Sequence, residues 1–259
     1  MNLELKGKVA IVGGASKGIG YGIARMLAQE GASVAISARR EPDLSTAAQR
    51  IRDETGVPVL AVAADARKSE DCRRIVEQTT AEFGGVDILV NNDGAPPIGE
   101  LLSFDDTAWH KAVEQNLMYV VRMVREVVPS MRQRGGGSIL NITAISAIQP
   151  IRGFSLSVAT WSGVIGYAKT LSLEVAQHGI TVNTICPGYI DTDRLRKVFA
   201  AGDEPSEVVQ ARLREEIPLK RIGTVDDIAH LVALLVSPKG SYITGAAIQV
   251  DGGLLRAVR

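Results

Sequence analysis

The sequence predicts a doubly wound α/β fold, a parallel sheet of about seven strands with helices on both faces. Three observations lead there. Short apolar runs recur along the chain, most of them rich in β-branched residues on both parities, as strands covered on both faces require. Longer stretches of helical period separate these runs, so successive strands join through helical crossovers. The first run also passes through a glycine-rich turn straight into a helix.

Taken in order, residues 8–12 form the first strand and 18–29 the helix after the turn. Strands at 33–37, 57–62 and 86–90 come next, with a helix over 69–83. In that helix Cys72, Ile75, Val76, Thr79 and Phe83 recur at helical spacing. A long helix over 106–132 precedes the strand at 138–142, and another over 157–177 precedes the strand at 180–185. Residues 247–250 close the sheet. The segment 192–216 is more polar and mixed and breaks the strand–helix rhythm. It reads as an insertion over the site, within one domain spanning 1–259.

Composition narrows the function classes. Lys plus Arg number 29 and Asp plus Glu 29, so no net charge draws the chain to a phosphate backbone, and nucleic acid is not an expected partner. The apolar runs are interrupted well before the roughly 18 residues that a membrane span needs, so no membrane contact is expected. The first residues lack a basic stretch followed by an apolar one, so no secretory signal is read. Only Cys72 and Cys186 occur, without metal-ligand spacing, so no metal site is expected and a reducing cytoplasm is.

After the first strand comes Gly13-Gly14-Ala15-Ser16-Lys17-Gly18-Ile19-Gly20. Small residues let a backbone approach a diphosphate closely, and the following helix presents unpaired N–H groups and a positive dipole end. The spacing is G-x-x-x-G-x-G, distinct from the usual G-x-G-x-x-G fingerprint. A tight strand–helix turn without a ligand has a similar composition.

With these residues the chain resembles the short-chain dehydrogenase/reductase family, whose members carry T-G-x-x-x-G-I-G at this turn. The resemblance runs through Asn91-Asn92-Asp93-Gly94, where the family has N-N-A-G, and through Asn116, its helix asparagine. It continues in Pro187-Gly188-Tyr189-Ile190-Asp191-Thr192, in Ile217-Pro218-Leu219-Lys220-Arg221-Ile222-Gly223, and in Tyr242-Ile243-Thr244-Gly245 and Val250-Asp251-Gly252-Gly253. It covers essentially the whole chain. It implies a Rossmann-type fold, a small-molecule substrate and a homodimer or homotetramer. It also implies a cofactor site drawn from Gly14, Ser16, Lys17, Gly18, Ile19, Gly20, Asn92, Gly94, Pro187, Gly188, Ile190 and Thr192, with Asp65 at an adenine.

The second strand ends Ser37-Ala38-Arg39-Arg40, with no acidic residue before Glu41 to accept a ribose 2′-hydroxyl. Lys17 lies in the turn itself. The family gives Lys17 and Arg39 the role of 2′-phosphate contacts, so NADP(H) is expected in preference to NAD(H). A solvated surface pair is the alternative reading of the two cations.

The catalytic half departs from the pattern. In the family a Tyr donates a proton, a Lys one helical turn later lowers its pKa, and a Ser orients the substrate. A free phenol titrates near about 10, so the ammonium is what makes it usable at neutral pH. Gly163-Val164-Ile165-Gly166 and the spacing from Trp161 to Pro187 fix the register. Ser157 then falls at the Tyr position, Trp161 at the Lys position and Ala144 at the Ser position. No Y-x-x-x-K occurs elsewhere in the chain, and of the family's catalytic positions Asn116 alone is kept.

An indole cannot supply positive charge, and losing general acid catalysis forfeits about 10²–10⁴-fold in rate. Thr143, Ser146 and Ser157 remain as hydroxyl candidates, with Tyr189 the one phenol expected near the nicotinamide end. Gly13 replaces the family's Thr, and Asp93 adds a carboxylate near the expected cofactor path. His110, His178 and His230 read as surface or packing residues, and Cys186 as a buried strand-end residue. Arg152, Phe154 and Tyr189 are expected to shape the substrate pocket together with 192–216. Three functions stay open: an NADP(H)-dependent oxidoreductase with a rearranged site acting on a carbonyl, alcohol or enoyl group; a non-catalytic nucleotide-binding or assembly protein; and a non-redox lyase or hydratase.

Overall fold

The computed structural model describes residues 2–92, 94, 96–200 and 204–257. The chain opens with β1 (Val9–Val12), α1 (Gly18–Gln29), β2 (Ser33–Ala38), α2 (Glu41–Thr55) and β3 (Val59–Ala63). α3 (Ser69–Phe83), β4 (Ile88–Asn91), α4 (Asp106–Ala112), α5 (Tyr119–Gln133) and β5 (Gly137–Ile142) follow. After α6 (Ser155–Val175) and β6 (Ile180–Pro187) come α7 (Asp193–Ala200), α8 (Ser206–Glu216), α9 (Val225–Leu235) and β7 (Ala247–Val250).

The strands form a 7-stranded sheet in the order β3-β2-β1-β4-β5-β6-β7, with parallel pairings throughout. The order turns outward in both directions from β1 and β4, and the crevice above such a switch point is where doubly wound sheets bind ligands.

Side-chain alternation along the strands builds two apolar layers. Ala10, Val12, Val34, Ile36 and Val90 pack with Ile23 and Leu27 of α1, Leu44 and Ile51 of α2, and Ile228 and Val232 of α9. Ile11, Ala35, Leu89 and Ile139 face the opposite way, onto Ile75 of α3, Met123 and Val127 of α5, and Val164 of α6. Both parities are apolar because both faces are covered. Leu27 and Met123 are fully buried, and truncating such a side chain costs about 2–5 kcal/mol.

Several departures from the sequence expectation have local causes. The third strand starts at Val59, past Pro58, which has no N–H to give to a ladder. β6 runs on to Pro187 because β7 pairs with its last residues, Cys186 with Gln249 and Pro187 with Val250. The helix expected over 106–132 is interrupted by a π-helical turn, Val113–Met118, between α4 and α5. Apolar periodicity does not register one wider turn, and π turns often sit at functional positions. The helix expected over 157–177 is α6 followed by a 3₁₀ turn at Ala176–His178. The polar segment 192–216 contains α7 and α8.

Candidate functional site

The turn after β1 is held by backbone and by one side chain. Gly13 N–H donates to the Val90 carbonyl at 3.0 Å and Ala15 N–H to the Ser37 carbonyl at 3.1 Å. Asn92 Nδ2 donates to the Gly13 carbonyl at 3.0 Å, so this side chain braces the turn from the end of β4. Gly14 has φ +56°, and a Cβ there would lie 2.5 Å from the Asn92 carbonyl oxygen. A Cβ on Gly13 would lie 2.1 Å from the Tyr119 hydroxyl. The phenol therefore fills the space in which a side chain at position 13 would stand. Lys17 precedes α1 in extended conformation without a side-chain cap, leaving the first amides of a 12-residue helix uncapped by a side chain.

Beside this turn lies a recess of about 230 Å³, lined by Gly14, Ser16, Lys17, Arg39, Arg40 and Asp43 among others. Arg40 pairs with Asp43 at 3.3 Å. Lys17 and Arg39 are exposed, and neither has a carboxylate within salt-bridge distance among the described residues. Two available cations thus face one small polar hollow. Gly94 also lines it. The Asp65 carboxylate, expected at an adenine, is gripped by Arg67 through Nε at 2.8 Å and Nη2 at 2.6 Å. The Arg67 guanidinium holds that carboxyl below its usual range, while its neighbours Ala64 and Ala66 line the recess.

A larger cavity of about 610 Å³ opens past the ends of β5 and β6. Thr143, Ala144 and Ser146 line it from the end of β5, and Pro187, Gly188, Tyr189, Ile190 and Thr192 from the end of β6, with Ile19 and Trp161 also on the wall. Ile98, Phe154, Leu195, Phe199 and Leu213 make most of the remaining wall apolar. Gly18 faces Thr192 across the mouth of the turn, a Cβ there lying 3.6 Å from the Thr192 methyl. The Thr192 hydroxyl accepts from Leu195 N–H at 3.3 Å at the start of α7.

The candidate catalytic groups separate. Ser157, expected to offer a hydroxyl to a substrate, is 1% exposed and is not among the residues that line the cavity. Trp161, one turn on along the same helical face, does line it. Asn116 is buried in the π turn, and its amide is already engaged. In the orientation that satisfies its neighbours, its oxygen accepts from Trp161 Nε1 at 3.2 Å and its nitrogen donates to the Gly94 carbonyl at 3.2 Å.

Thr143 Oγ1 donates to the Ile185 carbonyl at 3.2 Å and lies 3.3 Å from Cys186 Sγ. Burial pushes the Cys186 thiol up, which keeps it a poor nucleophile. Ser146 is buried, and its Oγ has no hydrogen-bond partner among the described residues. Burial, reinforced by the negative charge of Glu216, raises the Tyr189 phenol above its ordinary value. A raised phenol is a poorer acid, the reverse of what an adjacent ammonium would do. Arg152 does not line the cavity, whereas Phe154 and Tyr189 do. Asp93 lies outside the described residues.

Sequence reasoning passes over two contacts here: the Tyr119 hydroxyl behind Gly13, and the Trp161–Asn116 hydrogen bond. Gly13 and Trp161 are both singled out in the sequence, but only the structure pairs each with its neighbour.

A glycine turn at the switch point of a doubly wound parallel sheet, with a basic recess on one side and an apolar cavity on the other, defines a Rossmann-type α/β protein. Relatives carry the assignment further. A family model described as enoyl-(acyl carrier protein) reductase matches residues 14–255. The chain is 37% identical over 247 residues to the 3-oxoacyl-(acyl-carrier-protein) reductase FabG of Staphylococcus epidermidis, covering 95% of this chain and 98% of that protein. It is 34% identical over 250 residues to dehydrogenase/reductase SDR family member 4 of Homo sapiens, covering 96% and 88%. The crystal structure of L-sorbose reductase from Gluconobacter frateurii, complexed with NADPH and L-sorbose, matches with a TM-score of 0.96 at 35% identity over 100% of both chains. The chain belongs to the short-chain dehydrogenase/reductase family of oxidoreductases.

Proposed function

We propose that this chain binds NADP(H) in preference to NAD(H) and acts as an oxidoreductase on a small carbonyl, alcohol or enoyl compound through a non-standard active site. The observation that carries the reading is the recess in which Lys17 and Arg39, with no carboxylate within salt-bridge distance among the described residues, stand beside a helix start without a side-chain cap. The Gly13–Gly20 turn and the first amides of α1 would hold a diphosphate, and Lys17 and Arg39 a ribose 2′-phosphate. The L-sorbose reductase of similar fold is complexed with NADPH, which supports the same nucleotide here. Nicotinamide, when bound, supplies hydride.

The chain's own residues would do the rest. The apolar wall excludes water from the reacting end. Ala144, Ser157 and Trp161 stand where the family has Ser, Tyr and Lys, so no phenol is activated by an adjacent ammonium. The Ser146 hydroxyl, buried and unpartnered at the cavity wall, is the group left to donate to a substrate oxygen and orient it. The chain would work as a homo-oligomer, dimer or tetramer, in the cytoplasm. Support for the assembly is the exposed Leu173 on α6 and Tyr242 and Ile243 before β7; for the compartment, the two free buried cysteines.

A second reading, nucleotide binding without catalysis, draws on the Trp161–Asn116–Gly94 hydrogen bonds, which engage both ends of the Asn116 amide. NADPH consumption across a panel of carbonyl and enoyl compounds separates the two. Turnover with any member supports the oxidoreductase. NADPH binding with no turnover, together with carbonyl reduction appearing in the Ala144→Ser, Ser157→Tyr, Trp161→Lys triple variant, supports the second reading.

A further inference from the structure

We propose that the large cavity takes a ligand with an apolar body and a single carboxylate, and that Arg194 is the residue that recognises the carboxylate. The inference rests on the reading of this cavity as the substrate site. Its wall is built mainly from Ile98, Ile145, Phe154, Leu195, Phe199 and Leu213, so the body of the ligand is apolar. Two arginines interrupt that wall. Arg212 is neutralised by Glu204, its Nη1 lying 2.8 Å from the carboxylate.

No described carboxylate neutralises Arg194. Among the described residues its one hydrogen bond runs from Nη2 to the Pro96 carbonyl at 3.4 Å, and no carboxylate reaches it. The acidic groups nearest in sequence, Asp191 and Asp193, are both taken by Arg196, at 3.0 Å and 3.3 Å. Arg194 is an exposed residue that lines the cavity, and desolvation there lowers its pKa. Its planar fork matches a carboxylate through two parallel hydrogen bonds. One unpaired cation in the cavity also matches a monoanion, whereas a phosphate dianion would leave a charge unmet.

The test is calorimetric titration of the full chain with octanoate and with octanamide, which share an apolar body, in the absence and presence of NADPH. The expected result is tighter binding of octanoate by about tenfold. Arg194→Gln should reduce that preference to less than about twofold while leaving octanamide affinity unchanged, which shows that the cavity is intact. Equal affinity for the two probes, no binding of either, or a preference that survives in the variant would each overturn the proposal. Titration of the same protein with NADPH reads the cofactor proposal separately, because Lys17 and Arg39 lie in the other recess.

Discussion

Two residue pairs concentrate what is unusual in this site. Gly13 and Tyr119 share one space, so a side chain at 13 requires a smaller residue at 119. Gly13→Thr should therefore destabilise the protein by about 1–3 kcal/mol, as overpacking does, and adding Tyr119→Phe, which removes the hydroxyl that meets the new side chain, should recover part of it. Chemical denaturation of the single and double variants measures this; equal stability of Gly13→Thr and wild type would contradict it. Trp161 and Asn116 form the second pair. Placing Trp161 at the family's Lys position rests on the register set by Gly163 to Gly166 and Pro187, and a register does not say that the indole N–H will meet Asn116. Ser157 shows a related limit: helical position gives direction but not exposure, and this residue is buried.

Among elements, α1 and α3 are legible to the residue because each combines a clear apolar stripe with a turn glycine at one end. α2 escapes the periodicity although Leu44, Ala47, Ala48 and Ile51 recur at helical spacing, because two alanines make a faint stripe on a polar helix. α9 goes unread although Ile228, Ala229, Val232, Ala233 and Leu235 recur at helical spacing, and its start is well specified. Thr224 Oγ1 accepts from Asp227 N–H at 3.3 Å, and the Asp227 carboxylate accepts from Thr224 N–H at 2.7 Å, a reciprocal cap. Thr224→Ala should cost about 1 kcal/mol and lower the melting temperature by about 2–4 °C. Asp227 is also held by Arg221 at 2.7 Å, and this guanidinium keeps its carboxyl far below the usual range. A carboxyl depressed in the folded state stabilises above its unfolded pKa and loses that contribution as pH falls. Asp227→Asn should accordingly be less stable than wild type at neutral pH. The gap should begin to close as pH drops through about 4, and a gap independent of pH would rule this out.

At the scale of the molecule, the strand order and the two apolar layers follow from strand alternation and crossover rules, so the sheet is legible in outline. The cavities are not. Arg194 lies in a polar segment whose composition says nothing about which side chains face inward, and only the placement of α7 and α8 around the cavity selects it. Assembly belongs to this scale as well. Leu173, Leu102 and Tyr242 are large apolar side chains left exposed on a 27.6 kDa chain, so light scattering should give the mass of two or four copies. A mass near one copy would contradict that. The basic recess bears on the whole reading most directly, through calorimetric titration of the protein with NADPH and with NADH. NADPH should bind about tenfold or more tightly than NADH, with the preference lost in the Lys17→Ala, Arg39→Ala double variant. Equal affinity for the two nucleotides, or heat from neither, would contradict an NADP(H) site in this protein.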